Sequence, residues 1–211
     1  DRRQRQMCIR DSLYTYYLED DKSAIQDFEK ALDIDPTYVY AIEEIGNIYY
    51  FAEQDELAIE QYEKGMQYAE SNPFTAALCY ANRADIYREQ NKLQEAEKDY
   101  SKAIELDPKN PKRYQQRAEF YDNYLDDYDK ALNDYSKAIE LDPNNSEMWY
   151  QRGGFIGDNG DNNLALKDFK KALEIDPSHA NSIKATGVVY KMSGQLDLAI
   201  KQYEKGIALI D

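Results

Sequence analysis

The sequence is poor in the residue types on which most catalytic and metal sites depend. Its 211 residues include one histidine, one tryptophan and two cysteines. The cysteines, Cys8 and Cys79, are too few and too far apart for a disulfide framework or a zinc site. Six prolines and nine glycines argue against a loop-rich or all-β chain. No apolar run reaches transmembrane length and no signal peptide is visible, so we expect no membrane-spanning segment.

Positive charge is also scarce. Lysine and arginine number 26 against 41 aspartates and glutamates, which gives a formal net charge of -15. Nucleic acids and anionic membranes require basic surfaces, so we expect neither as a partner. The charge favours a basic segment of a protein or peptide as the partner. A solvated helix surface explains the same charge without any ligand.

A nine-residue stretch recurs along the chain. Residues 100–108 read YSKAIELDP and return unchanged at 135–143. Close variants lie at 28–36 and 169–177, and looser ones at 62–70 and 203–211. Pro108, Pro143 and Pro177 follow one another at intervals of 35 and 34 residues. A period of this length indicates a stacked array of structural repeats.

Each repeat contains two apolar stripes at helical spacing, separated by a polar turn. Several second stripes end at Asp-Pro, because a residue before proline is disfavoured in helical geometry. The fourth repeat has one extra residue in its inner turn, near residues 125–128. Small residues in the first stripes are predicted to let the two helices approach closely: Gly46, Ala84, Ala118, Gly153 and Gly187. The repeats are predicted at 13–38, 39–76, 77–110, 111–145, 146–179 and 180–211.

The layout aromatic-x3-small-x2-Tyr, then Ala-x3-aromatic-x2-Ala, then Pro, resembles the tetratricopeptide repeat (TPR) over residues 13–211. Departures are Glu70 in place of proline, Gly65 and Gly206 where alanine is usual, and an incomplete first helix. The resemblance implies an all-α fold, a right-handed superhelical solenoid of eleven or twelve antiparallel helices in a single domain. It also implies a non-catalytic scaffold that binds a protein or peptide in its concave groove.

The first twelve residues do not fit the repeat. They are basic in an acidic chain, and residues 7–12, MCIRDS, look like a translated transposase adapter. We interpret them as an assembly artefact, with a frayed first helix as the alternative. Because the chain starts at Asp1 rather than Met, loss of an upstream leader stays open. Cytoplasm is the default location.

The concave groove of such an array is lined by first-helix residues that lie between the core positions. In this chain they run from acidic and aromatic in the second repeat to basic in the sixth. Glu147, Gln151, Gly154, Asn181 and Val188 accompany them in the last two repeats. The predicted peptide-binding residues are Tyr40, Glu43, Asn47, Tyr50, Asn82, Asp85, Arg88, Lys112, Gln115, Glu119, Tyr150, Lys184 and Lys191.

Some members of the family bind the C-terminal Glu-Glu-Val-Asp of chaperones through a clamp of lysine, asparagine and arginine. Asn47, Asn82 and Lys112 lie at positions similar to those of the clamp. However, Glu43 stands where the first lysine is needed and Gln116 where the arginine is needed. A carboxylate at that place repels the ligand carboxylate, so the resemblance does not extend to this ligand.

No residue pattern predicts a catalytic, cofactor or metal site. His179 is the single histidine of the sequence and has no cysteine near it, and we interpret it as a turn residue. The glycines of residues 153–160 begin inside a helical stripe, unlike a phosphate-binding loop, which follows a strand. A calcium loop starting at Asp158 would need glutamate at its twelfth position, where Phe169 stands.

Two further hypotheses stay open. The chain is a repeat-domain fragment of a larger enzyme or signalling protein, as the missing initiator methionine and terminal cap suggest. Alternatively it self-associates through its C-terminal end, where Ile207, Leu209 and Ile210 are expected to face water.

Overall fold

A computed structural model describes residues 21–209, and within them the chain forms eleven α-helices and no strand. The all-α prediction is confirmed. Residues 1–20 and 210–211 lie outside the described residues, and with them the predictions for residues 1–12 and Ile210. The helices are α1 (Asp21–Ile34), α2 (Val39–Phe51), α3 (Asp55–Met66), α4 (Pro73–Glu89), α5 (Leu93–Leu106), α6 (Pro111–Phe120), α7 (Tyr128–Leu141), α8 (Ser146–Asp158), α9 (Asn162–Ile175), α10 (Ala180–Met192) and α11 (Leu196–Ile207).

The helices are grouped in two compact units, one within residues 1–108 and one within residues 109–211. In the first unit α2 packs on α3 and α4 on α5, and the first helices α2 and α4 also touch. In the second unit α6 packs on α7, α8 on α9 and α10 on α11, while α8 also touches α10. Adjacent pairing of this kind is the packing that the repeat predicts. A single solenoid over residues 13–211 stays a prediction.

Asparagine side chains cap the N-termini of three first helices. Asn72, Asn110 and Asn145 each accept a hydrogen bond from a backbone N–H in the first turn of α4, α6 and α8. These bonds satisfy amides that have no partner within the helix. His179 does the same for α10, because its side chain accepts from the N–H of Ser182 at 3.2 Å. The histidine is therefore a capping residue, in agreement with its interpretation as part of a turn.

The turn between the two helices of a repeat contains one residue with positive φ in each of the second to sixth repeats. Glu53, Asn91 and Asp126 have φ of 57°, 57° and 52°, and glycines occupy the same place in the last two repeats, with φ of 96° at Gly160 and 73° at Gly194. The extra residue of the fourth repeat is absorbed by a π-helical turn, Tyr121–Leu125, between α6 and α7. π-turns commonly accommodate a one-residue insertion in a helix.

Small first-helix residues are required by the rings that pack on them. A Cβ atom at Gly46 would lie 2.5 Å from the Tyr62 ring, and one at Gly153 would lie 2.7 Å from the Phe169 ring. One at Gly187 would meet the ring of Tyr203 at 2.5 Å. The prediction that these residues permit close helix approach is confirmed. A Cβ at Gly154, by contrast, meets nothing within 4 Å.

In three successive repeats an arginine of the first helix holds a buried aspartate of the second through two hydrogen bonds. The Nε–Oδ2 distance is 2.7 Å in each, and the Nη2–Oδ1 distance is 2.9 or 3.0 Å. Such two-pronged, charge-assisted contacts fix geometry as well as adding stability. These Arg–Asp pairs are Arg83–Asp99, Arg117–Asp134 and Arg152–Asp168.

Candidate functional site

The predicted groove residues all lie on first helices. Tyr40, Glu43, Asn47 and Tyr50 are on α2, Asn82, Asp85 and Arg88 on α4, and Lys112, Gln115 and Glu119 on α6; Tyr150 is on α8 and Lys184 and Lys191 are on α10. Those of α2 and α4 belong to the first compact unit and the rest to the second.

In the first unit, Glu43 is the centre of a hydrogen-bonded network. Its carboxylate accepts from the side-chain amide of Asn47 at 2.8 Å and from that of Asn82 at 2.9 Å. Asn82 also donates to Asn47 Oδ1 at 2.8 Å. Glu43 is only 5% exposed, although its sequence position predicts a groove residue. The first helices of two neighbouring repeats are therefore joined through a buried carboxylate.

A second-helix tyrosine completes this network. The Tyr62 hydroxyl donates to Asn47 Oδ1 at 2.8 Å. Burial, followed by the negative charge of Glu43, raises the pKa of Tyr62, so the hydroxyl keeps its proton and remains a donor. Burial likewise raises the pKa of the Cys79 thiol, which is therefore a poor nucleophile.

One turn further along, the polar contacts continue. Tyr50 donates to Glu89 at 2.6 Å, and Arg88 forms a 2.8 Å ion pair with Asp85. Tyr100 donates to the same carboxylate of Asp85 at 2.5 Å. The first-unit groove residues Asn47, Tyr50, Asn82, Asp85 and Arg88 thus bind one another or a near neighbour.

Sequence reasoning missed the second-helix tyrosines of this network. The available signal was the choice of tyrosine rather than phenylalanine at a buried position, since a buried hydroxyl needs a hydrogen-bond partner. Tyr62 and Tyr100 find theirs on the first helix of their own repeat. The two asparagines at positions similar to those of the chaperone-binding clamp both donate to Glu43, an internal carboxylate.

In the second unit the predicted residues of α6 are less enclosed. Lys112 is exposed, and the Gln115 amide donates to Glu119 at 2.9 Å. The Glu119 charge contributes, after burial, to a raised pKa of Tyr135. Burial and the charges of neighbouring aspartates also raise the pKa of Asp122.

In the second unit, residues of α8, α9 and α10 line a partly apolar cleft of about 360 Å³ between α8 and α10. The predicted residues Tyr150 and Lys184 line it, together with Gly154, Asn181 and Val188. Residues that were not predicted contribute the remainder of its wall. They are Gly157, Asp158, Asn162, Phe169, Ala185, Val189 and Met192.

The N-terminal ends of α8 and α10 lie side by side. The Tyr150 and His179 rings are 5.5 Å apart, and His179 Nε2 is 3.0 Å from Glu147 Oε2. The two helices therefore run in the same direction, with Tyr150, Asn181 and Lys184 at one end of the cleft. Asp158 and Met192 lie at the other end. Lys191 is exposed on α10 but does not line the cleft.

Among residues 21–209, no group of histidine, cysteine and carboxylate side chains is arranged to hold a metal ion. Over the same residues, no helix is both long and apolar enough to cross a bilayer. Over the described residues, the surface offers a mixture of hydrogen-bonding groups, exposed lysines and partly apolar clefts.

Models of the tetratricopeptide repeat match residues 12–38, 77–110 and 146–179, and a model described as TPR repeat matches residues 123–154. No curated protein matches the sequence significantly.

Several solved structures share the fold. YrrB, described as a TPR protein with an unusual peptide-binding site, is 24% identical with a TM-score of 0.61, over 86% of this chain and 91% of that one. BtubC from P. vanneervenii is 16% identical with a TM-score of 0.74, over 90% and 87%. The pilF protein of Pseudomonas aeruginosa is 18% identical with a TM-score of 0.73, over 95% and 89%. At these identities the likeness concerns the fold.

Proposed function

Since this chain belongs to the tetratricopeptide repeat family, whose arrays are in general protein-interaction scaffolds and typically non-catalytic, we propose that it is a non-catalytic scaffold whose first-helix surface binds a protein or peptide. The observation that carries the proposal is the cleft between α8 and α10. Its volume lies within the range of about 300–1,000 Å³ that is usual for ligand sites. It also lies where the repeat predicts the groove.

The charges near the cleft favour a peptide with an acidic end. Lys184 lines the cleft, and Lys191 lies two turns further along the same helix. Both side chains are exposed, so a ligand carboxylate reaches them without a large desolvation cost. Exposed charges of this kind mainly accelerate and orient association. The preference for a basic segment elsewhere in the partner stays a prediction.

The predicted groove residues of the first unit are weaker candidates for the binding surface. The Glu43 carboxylate is buried, and the side chains around it already bind one another. A ligand there would have to replace these hydrogen bonds rather than add to them. Binding is therefore proposed to centre on the second unit.

The test is a quantitative pull-down from cell lysate. The groove variant is Lys184→Glu/Lys191→Glu, and the matched control is Lys137→Glu/Lys171→Glu. The control changes two lysines of second helices that form only surface ion pairs with nearby glutamates. We expect a partner retained by the wild type and the control to fall about tenfold on the groove variant. A partner retained equally by all three proteins would refute the groove as its site.

A further inference from the structure

The fifth repeat differs from its predecessors at one groove position. In register with Gly154, the second, third and fourth repeats carry Asn47, Asp85 and Glu119. Asn47 and Asp85 each contact a tyrosine of the second helix, and Glu119 accepts a hydrogen bond from Gln115. Gly154 leaves that place empty, and a Cβ atom added there meets nothing within 4 Å. The cleft opens at this glycine.

The second helix changes at the matching position. Asn47 and Asp85 accept hydrogen bonds from Tyr62 and Tyr100, at 2.8 and 2.5 Å. In the fifth repeat Phe169 replaces the tyrosine and lines the cleft. A ring without a hydroxyl needs no polar partner, so the glycine leaves no hydrogen bond unmade. Both changes turn a polar surface into an apolar one.

The opposite wall of the cleft is apolar as well. Val188 and Met192 of α10 are 40% and 67% exposed, and Val189 and Ala185 complete that side. Polar side chains line its two ends, with Lys184, Asn181 and Tyr150 at one and Asp158 and Asn162 at the other. An apolar centre between charges of opposite sign is complementary to a peptide, rather than to a flat apolar surface of another protein.

We propose that this cleft is an anchor subsite for one large apolar side chain of an extended peptide, with an acidic peptide residue beside it at Lys184. The inference rests on the proposed function, and names the ligand chemistry of its site. A large apolar side chain removes most area from water per residue, which makes it a suitable anchor. The carboxylate at Lys184 fixes the direction of the peptide in the groove.

The test is a variant that fills the cleft from inside. Gly154→Leu places a side chain in the empty space, and leucine is a far better helix former than glycine. We therefore expect Gly154→Leu to melt no lower than the wild type. Gly154→Ala is the graded intermediate. The control is Gln94→Leu, which adds the same side chain to an exposed helical position of the other compact unit.

The probe is a phage-displayed library of random dodecamer peptides selected on the wild-type protein. Affinities of the enriched peptides are then measured by fluorescence anisotropy. We expect the peptides to share a large apolar residue near an acidic one. Their affinity should fall about 30-fold on Gly154→Leu, less than about threefold on Gly154→Ala, and not at all on Gln94→Leu. Lys184→Gln should remove the preference for the acidic residue.

Other outcomes overturn the inference in distinguishable ways. Enriched peptides that bind Gly154→Leu as tightly as the wild type would show that the cleft is not the anchor. The proposed function would then stand if the same peptides were weakened by Lys184→Glu/Lys191→Glu. Failure to enrich any peptide would overturn the anchor subsite. The lysate pull-down would still test separately whether the groove binds a partner.

Discussion

Removing one member of an Arg–Asp pair should destabilise the second unit far more than removing both. Asp134 is 1% exposed, and its carboxylate accepts from Arg117 Nε at 2.7 Å and Nη2 at 3.0 Å. Burial alone would lower the pKa of Arg117, but the hydrogen bonds and charge of Asp134 outweigh it and raise that pKa. Asp134→Ala therefore leaves a largely buried guanidinium charged and without its main partner.

The expected cost follows from that burial. Breaking a buried ion pair from one side typically costs about 3–5 kcal/mol. The Arg117 side chain is 20% exposed, so water recovers part of its solvation, and we expect about 2–4 kcal/mol for Asp134→Ala. Arg117→Met/Asp134→Ala removes both charges, and its free energy of unfolding should be at most about 1 kcal/mol below that of the wild type. The double variant is thus predicted to be more stable than the single one.

The stabilities of the single and double variants are compared locally by urea unfolding, followed through the fluorescence of Trp149. It is the sole tryptophan of the sequence, and its indole N–H donates to the Pro143 carbonyl at 2.9 Å. It packs beside buried residues at the junction of α7 and α8. A local probe is needed because repeat arrays do not always unfold in one step. A double variant as unstable as the sum of its single changes would refute the reasoning, because packing rather than charge pairing would then dominate.

Three further results are expected. Gly153→Ala should lower the free energy of unfolding in urea by about 1–3 kcal/mol through overpacking, whereas the adjacent Gly154→Ala should raise it by up to about 1 kcal/mol. Equal effects of the two substitutions would contradict the packing described above. Asp122→Asn should raise the melting temperature at pH 7, because burial and neighbouring carboxylates raise the pKa of Asp122 and penalise its charged form. The folded state then binds that proton more tightly than the unfolded state, so the gain should shrink as the pH falls through the raised pKa towards the usual 3.8; a gain independent of pH would contradict this. Ile200→Lys/Ile207→Lys should suppress a concentration-dependent rise in mass measured by light scattering, because both isoleucines are more than half exposed; a wild type that stays monomeric would contradict it.

The helices and their close approaches were predictable because each is determined by residues within one repeat. Gly153 and Phe169 are 16 residues apart at fixed repeat positions, and the ring occupies the space that the glycine leaves. The repeat period likewise predicted one extra residue after α6, where the structure has the π-helical turn. Local spacing determines such features before any long-range packing is considered.

The burial of Glu43 was not predictable in the same way. Helical spacing places it towards the groove, where a carboxylate is expected to meet water or ligand. Its burial depends on Asn82, 39 residues away, reaching it from the next repeat. The cleft at Gly154 has the same origin, because its second wall belongs to a different repeat. Sequence spacing predicts where a residue lies on a helix, but it does not predict the width of the space between two helices.

The Arg–Asp pairs have a consequence for how whole repeats can be gained or lost during evolution. Arg117 and Asp134 lie within one predicted repeat, as do the members of the other two pairs. A repeat that is copied or deleted as a block therefore carries both halves of its internal pair with it. The bond between Glu43 and Asn82 crosses a repeat boundary, so inserting a repeat there would separate its two halves. The second and third repeats are thus expected to be inherited together.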